Sequence, residues 1–368
     1  VRQHGNPGRR QPDRLPQRYI GQLPLTIHNK PSQKSAMPAV VVLHDPVEEG
    51  AGPDARDTLI QAHCVRGALM RLGYDTAMLA ASANIRTVQE DLLRLQPDLV
   101  FNLVESNPGL GQHIDRVPRL LDELGAPYTG CSAEVLRHTS NKLHAKQVMT
   151  WYGLPTAALW NGEGNGSWII KSVWEHASYG IDDGCVVAGH KVEAAMAGRK
   201  RSLGGFWFAE RYLDGREINI ALLETRRAPQ VLAIAEIDFL DYATDKPRIV
   251  GYAAKWLEDS FEYRNTPRRF IRSADEPNLR AVLIKLALRC WNKFGLTGYA
   301  RVDLRIDQQN RPWLLEVNAN PCLSPDAGFA AAAAESGLTY DEAIARIVSN
   351  ARYGRRGDSA PPITENVA

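Results

Sequence analysis

Along most of this chain, short apolar runs alternate with stretches of helical periodicity. Val40–His44 (V-V-V-L-H) and Leu99–Val104 (L-V-F-N-L-V) are nearly unbroken apolar segments of strand length, the pattern of strands covered on both faces. Asp57–Leu72 and Val117–Leu124 carry apolar residues at helical spacing and end at Gly73 and Gly125, with Pro127 beyond the second; glycine and then proline are what stops a helix. A Gly-rich turn follows the second strand at Asn107–Gly111. This alternation predicts an open α/β domain over residues 37–138. A second unit, 139–213, reads as a helix over Lys142–Trp151, closed by Gly153 and Pro155, with strands over Trp168–Lys171 and Phe206–Leu213. A third, 214–353, reads as strands over Ile218–Leu223 and Val231–Phe239, a helix over Leu279–Phe294 and a last helix at Asp341–Ser349. Residues 1–36 are rich in Pro, Gln, Arg and Asn and have no apolar period. They read as a disordered leader before a start at Met37, or as a basic docking arm. Residues 354–368 read as a polar tail.

Composition narrows the function. A net charge of +2 gives no electrostatic case for nucleic acid or an anionic membrane. No apolar run approaches the ~18 residues of a membrane-spanning helix, and no apolar core of a secretory signal follows the basic start. The five cysteines are scattered without metal-type spacing, as in a reducing cytoplasm. The expected partners are therefore small molecules, with no nucleic acid and no membrane; a homodimer is left open.

Candidate chemistry lies in Y-A-R-V-D-L-R-I-D-Q-Q-N-R-P-W-L-L-E-V-N-A-N-P, near the C-terminus. Arg301-Val302-Asp303 and Glu316-Val317-Asn318 are polar–Val–polar triplets on two strands, so each pair of polar side chains shares one face. Asp307–Asn310 is turn chemistry. A hairpin centred between Gln309 and Asn310 pairs Asp303 with Glu316 and Arg301 with Asn318. Two carboxylates about 5 Å apart repel unless a cation or a shared proton lies between them. Two acids and an amide oxygen suit Mg²⁺.

Together these elements resemble the ATP-grasp superfamily and, within it, the D-alanine–D-alanine ligases, over about residues 38–350. The strongest stretch is G-Y-A-R-V-D…L-L-E-V-N-A-N-P-C-L-S-P-D. The resemblance implies a three-domain ATP-grasp fold: an N-terminal open α/β domain (37–138), a central lid (139–213) and a C-terminal catalytic domain (214–353), α+β in the ATP-grasp part. It implies ATP with two Mg²⁺ ions, for which Mn²⁺ can substitute. Asp303, Glu316 and Asn318 match the metal ligands, and Arg301 matches the arginine that stabilises the tetrahedral transition state. A-E-R-Y-L-D-G-R-E-I-N looks like the adenosine strand, so Glu210, Arg211, Leu213 and Glu217 are expected at the nucleotide. Lys142 and Lys171 match phosphate lysines, and Lys255 in Y-A-A-K-W matches the lysine over the transferred phosphate. The loop Glu175-His176-Ala177-Ser178-Tyr179-Gly180 resembles the phosphate-covering loop, with Ser178 as a donor to phosphate.

The substrate side departs from that family. The Ser and Tyr around the first amino acid become Ala177 and Trp256. The N-terminal signature is replaced by H-D-P-V-E-E-G-A-G-P-D-A-R, where Glu48 or Glu49 is the candidate carboxylate. L-H-G becomes Val104-Glu105-Ser106, a Gly becomes Cys322, and the Ser for the acceptor carboxylate falls on Ala327. Each lost partner costs about 1–3 kcal/mol of affinity for a zwitterion. The expectation is an ATP-dependent carboxylate–amine ligase working through an acyl phosphate on an altered pair of substrates. The alternatives are a divergent D-alanine–D-alanine ligase and, in other classes, a catalytically silent ATP-binding regulator or a kinase-like phosphotransferase.

Overall fold

The computed structural model describes residues 39–106, 111–272 and 274–351. The expected leader (1–36), the tail (354–368) and most of the Asn107–Gly111 turn lie outside them. The first part contains β1 (Ala39–His44), α1 (Pro53–Arg71), β2 (Asp75–Ala80), α2 (Ile85–Leu95), β3 (Leu99–Asn102) and α3 (Arg116–Leu124). β1 lies between β2 and β3 in an all-parallel sheet. This is why β1 is apolar from Ala39 to Leu43: Val40, Val42 and Leu99 face one apolar cluster, and Val41, Leu43 and Val100 face another. β3 ends two residues earlier than its apolar run predicts, at Asn102. β2 and α2 complete the β–α–β unit.

Next come α4 (Ala133–Ser140), α5 (Lys142–Trp151), β4 (Ser167–Ser172), β5 (Val186–Ala188), α6 (Val192–Leu203) and β6 (Trp207–Arg211). Asn141 ends α4 and caps α5, its side chain accepting from the His144 N–H at 3.0 Å. This fixes Lys142 at the first position of α5. β4 is the centre of an antiparallel sheet ordered β5-β4-β6. β6 is shorter than the expected Phe206–Leu213 strand, because its partner β4 runs out at Trp168, opposite Arg211.

The last part contains β7 (Arg216–Leu223), β8 (Gln230–Ile237), α7 (Tyr252–Trp256), α8 (Phe261–Asn265), β9 (Arg268–Phe270), α9 (Pro277–Phe294), β10 (Tyr299–Ile306), β11 (Pro312–Asn318), α10 (Gly328–Glu335) and α11 (Tyr340–Ser349). Five strands form an antiparallel sheet in the order β11-β10-β7-β8-β9. Val302, Leu304, Leu314 and Val317 turn into a core with Leu283 and Ala287 of α9 and Met149 of α5. The opposite face is left for Arg301, Asp303, Glu316 and Asn318. α11 begins with a capping box between Thr339 and Glu342.

Candidate nucleotide and metal site

The β10–β11 ladder pairs Arg301 with Asn318 and Asp303 with Glu316, the register expected from the hairpin. On the other side of β10, Asp303 pairs with Asn219 of β7. Asp303 is buried and receives four hydrogen bonds. Arg301 Nε and Nη2 each donate at 2.8 Å, Asn219 Nδ2 at 2.8 Å and Asn318 Nδ2 at 2.9 Å. Asn318 Nδ2 also reaches Glu316 Oε1 at 3.2 Å. Burial works against the Glu316 charge, yet Lys142, Lys255, His176 and Arg301 outweigh it and hold the carboxyl well below its usual range. Burial pushes Asp303 upward against the pull of Arg301.

These side chains are hard oxygen donors, which fits Mg²⁺. Among the described residues no three His, Cys, Asp or Glu side chains gather around one point. A cation here therefore needs the Asn318 amide oxygen and nucleotide phosphate oxygens to complete its shell. Asn318 now turns its Nδ2 toward the acids, so holding a cation calls for the amide turned the other way.

The expected phosphate lysines converge from the neighbouring layer. Lys142 is buried, and its ammonium donates to the Glu175 carbonyl at 2.6 Å; burial lowers its pKa. Lys171 donates to Glu210 at 2.6 Å. Burial opposes the Lys171 charge, but Glu210 prevails and raises it. Glu210 also pairs with buried Lys146, which donates to Thr156 Oγ1 at 2.8 Å. Sequence reading missed Lys146, although it follows Lys142 by one helical turn and so shares its face. Asn219 was missed too; it alternates with Glu217 on β7 and lies on the same side.

The adenosine candidates are less uniform. Glu217 is fixed by buried Arg305, which donates from Nη2 at 2.7 Å. The Arg211 side chain does not join the cluster: its guanidinium stacks 5.7 Å from the Trp168 ring centroid and donates to the Asn165 carbonyl. The Arg211 N–H is taken by the Ala158 carbonyl at 2.8 Å. Leu213 lies just past β6.

The loop after β4 is docked. Ala177 and Ser178 both have left-handed backbones, with φ of 56° and 60°. The Ser178 hydroxyl, expected at phosphate, donates to the Val250 carbonyl at 2.8 Å. Trp256 Nε1 donates to the Ala177 carbonyl at 3.0 Å. The positions that resemble a Ser–Tyr pair are thus still linked, with the acceptor moved to the backbone. His176 Nε2 lies 2.8 Å from Ser140 Oγ, and burial, with Lys142, pushes its pKa down to about 3. Glu48 and Glu49 are exposed. The carboxylates that stand near the centre are Asp45, Asp57 and Glu105. Cys322 donates to Asp57 at 3.1 Å, and burial pushes its thiol far up, so it is a packed thiol rather than a nucleophile.

A five-stranded antiparallel sheet and a smaller three-stranded one, with Lys171 of the second acting on Glu316 and Glu217 of the first, define the ATP-grasp class. The family model described as D-ala D-ala ligase C-terminus matches residues 169–349. A D-alanine–D-alanine ligase of Gloeobacter violaceus is 26% identical over 80% of this chain and 95% of its own length. The uncharacterized protein y4sG of Sinorhizobium fredii is 27% identical over 80% of this chain and 89% of its own length. Among solved structures, the D-alanine–D-alanine ligase of Bacillus anthracis superposes with a TM-score of 0.67 at 17% identity, over 86% of this chain and 97% of that one. The chain is a D-alanine–D-alanine ligase-like ATP-grasp protein.

Proposed function

We propose that this protein is an ATP-dependent carboxylate–amine ligase that works through an acyl phosphate on a pair other than two D-alanines. Its three domains are taken as 37–138, 139–213 and 214–353. The observation that carries the reading is the convergence of Lys142, Lys255 and Arg301 on Glu316, directly opposite Asp303. These cations surround the place where a phosphoryl group in transfer spreads its charge. Asp303, Glu316 and Asn318 are the residues for Mg²⁺, which supplies charge neutralisation at the phosphoryl oxygens. Lys171, anchored by Glu210, presents an ammonium to the phosphates. Arg301, locked by two hydrogen bonds to Asp303, offers a fixed cation to the oxyanion formed when the amine attacks the acyl carbon. Phosphate then leaves, and no protein nucleophile is needed.

The altered pair is argued from the substrate side, where Ala177, Trp256 and Ala327 stand in place of hydroxyl partners, Glu105 in place of a histidine and Cys322 in place of a glycine. One observation favours a true D-alanine–D-alanine ligase instead: the Trp256–Ala177 bond keeps a link across the same two positions. ADP release measured across amino acids, small carboxylates and amines separates the two. Release with D-alanine alone at millimolar concentration overturns the altered pair. Tight Mg·ATP binding without ADP from any pair favours a silent ATP-binding regulator.

A further inference from the structure

Among the described residues, one carboxyl on the substrate side has no hydrogen-bond donor. Glu105 follows β3 in a turn pinned to Asp45. The Glu105 N–H donates to Asp45 at 2.7 Å, the Ser106 N–H at 3.2 Å and the Ser106 hydroxyl at 3.0 Å. Asn320 Nδ2 donates to the Val104 carbonyl at 3.2 Å, and Tyr299 donates to Asn320 Oδ1 at 2.6 Å. The turn is therefore tied to the segment that follows Asn318. Among the described residues, no hydrogen-bond donor reaches the Glu105 carboxylate. The side chain is largely surrounded by protein yet keeps some solvent access. Asp45 and Asp57 act on it as like charges, and Arg301 and Lys255 as opposite ones. It also acts on Cys322 and Tyr299, so it lies beside the reaction centre.

We propose that Glu105 is a specificity-determining residue that receives a substrate ammonium, and that the site selects amines of net positive charge, such as diamines and basic amino acids, over neutral zwitterions. The inference rests on the ligase reading for what the amine is used for. Asp45 is occupied by the donors of Glu105 and Ser106, and Asp57 by Ser324 at 2.7 Å and by Cys322. Both still impose a negative field that opposes a substrate carboxylate. Of these three acids, only Glu105 has no donor to its carboxyl among the described residues. Burial, with Asp45 and Asp57, pushes its carboxyl up to about 8, a strain that a bound cation relieves.

The test titrates 1,4-diaminobutane, lysine and D-alanine into the full chain with Mg²⁺ and a non-hydrolysable ATP analogue, by calorimetry, with ADP release followed in parallel. The diamine or lysine is expected to bind more tightly than D-alanine. Glu105→Gln should weaken that binding roughly 10–100-fold, as loss of a charge-assisted contact does. Glu105→Asp should retain part of it, and the affinity for the nucleotide analogue should be unchanged in both. Since the carboxylate makes no hydrogen bond among the described residues, the Gln variant should fold. Binding within twofold of wild type in Glu105→Gln, or preferential binding of D-alanine, overturns the proposal. If the amine binds through Glu105 but no ADP forms, the ligase reading fails and this one stands. If ADP forms and Glu105→Gln is indifferent, this one alone falls.

Discussion

Asp303 and Glu316 face each other directly across β10 and β11, and Leu315 is what puts them there. On the turn side of this pair the register shifts, with Leu304 opposite Leu314 and Arg305 opposite Trp313. One extra residue, Leu315, therefore bulges from β11. Strand alternation would place Leu314 and Glu316 on one face. The bulge changes the parity: Leu314 joins Leu304 and Val317 in the core, while Glu316 joins the acid on the open face.

This geometry makes the metal dependence testable residue by residue. Asn318→Ala leaves the two carboxylates but removes the amide beside both. The Mg²⁺ concentration for half-maximal ADP release should rise roughly 10–100-fold, on the scale seen when groups supporting a metal site are removed. Unchanged turnover and Mg²⁺ dependence would refute Asn318 as a ligand. Folding stability, read by urea unfolding, should change little, because Arg301 and Asn219 still satisfy Asp303.

The buried Lys146–Glu210–Lys171 group has a structural consequence separate from catalysis. Lys146 and Glu210 are almost wholly inaccessible, with 2% and 1% side-chain exposure. Lys146→Met removes one of two counter-ions and strands part of the Glu210 charge. Breaking such a pair costs about 3–5 kcal/mol. Urea unfolding should show that loss, and a change below about 1 kcal/mol would mean that Lys171 alone satisfies Glu210.

The sequence was most legible where pattern and chemistry agreed. Helix α5 begins and ends where Asn141 and Gly153 predict, and the pairing on the polar face of the hairpin follows from two polar–Val–polar triplets. The turn was less so. The expected centre lay between Gln309 and Asn310, whereas Ile306 pairs with Pro312 and the turn closes from Asp307 to Arg311. The bulge absorbs the one-residue difference, so the pairing at the site was right although the turn centre was not. α10 escaped because G-F-A-A-A-A-A-E has no contrast between its faces. β2 escaped because an edge strand of half-exposed residues, D-T-A-M-L-A, has little apolar period. Lys146 and Asn219 were missed, and Glu105 was read only as a departure from the family, because their roles depend on contacts between elements, which spacing along one element does not encode.

The docked loop offers a test of closure. Trp256 and Ser178 each spend a donor on a carbonyl across the junction, at Ala177 and Val250. Trp256→Phe keeps an aromatic ring, though a smaller one, and deletes the N–H, removing about 1 kcal/mol of docking. The loop over 175–182 should become more sensitive to limited proteolysis, and kcat/KM for ATP should fall about fivefold. Global stability should be unaffected. If cleavage and kinetics both match wild type, the indole bond does not hold the loop.

His176 gives a pH dependence with a definite sign. Its pKa is pushed from 6.5 down to about 3, by burial first and by Lys142 next. Between those values the unfolded chain carries a proton that the folded chain does not. Stability from this group therefore rises with pH, by about 1.4 kcal/mol per unit at most, and is fully present above pH 6.5. Asp45 and Glu105 act in the opposite sense: burial pushes them up to about 6 and about 8, so their contribution is present in acid and lost as pH rises through those values. The two effects oppose each other in the wild-type curve but separate in a variant. His176→Gln deletes only the histidine's part. Relative to wild type the variant should gain stability steadily as pH falls from 6.5 to 4.5, by about 1–3 kcal/mol in all. Urea unfolding at four pH values without nucleotide reads this directly, and parallel curves would show that His176 keeps its proton in the folded protein.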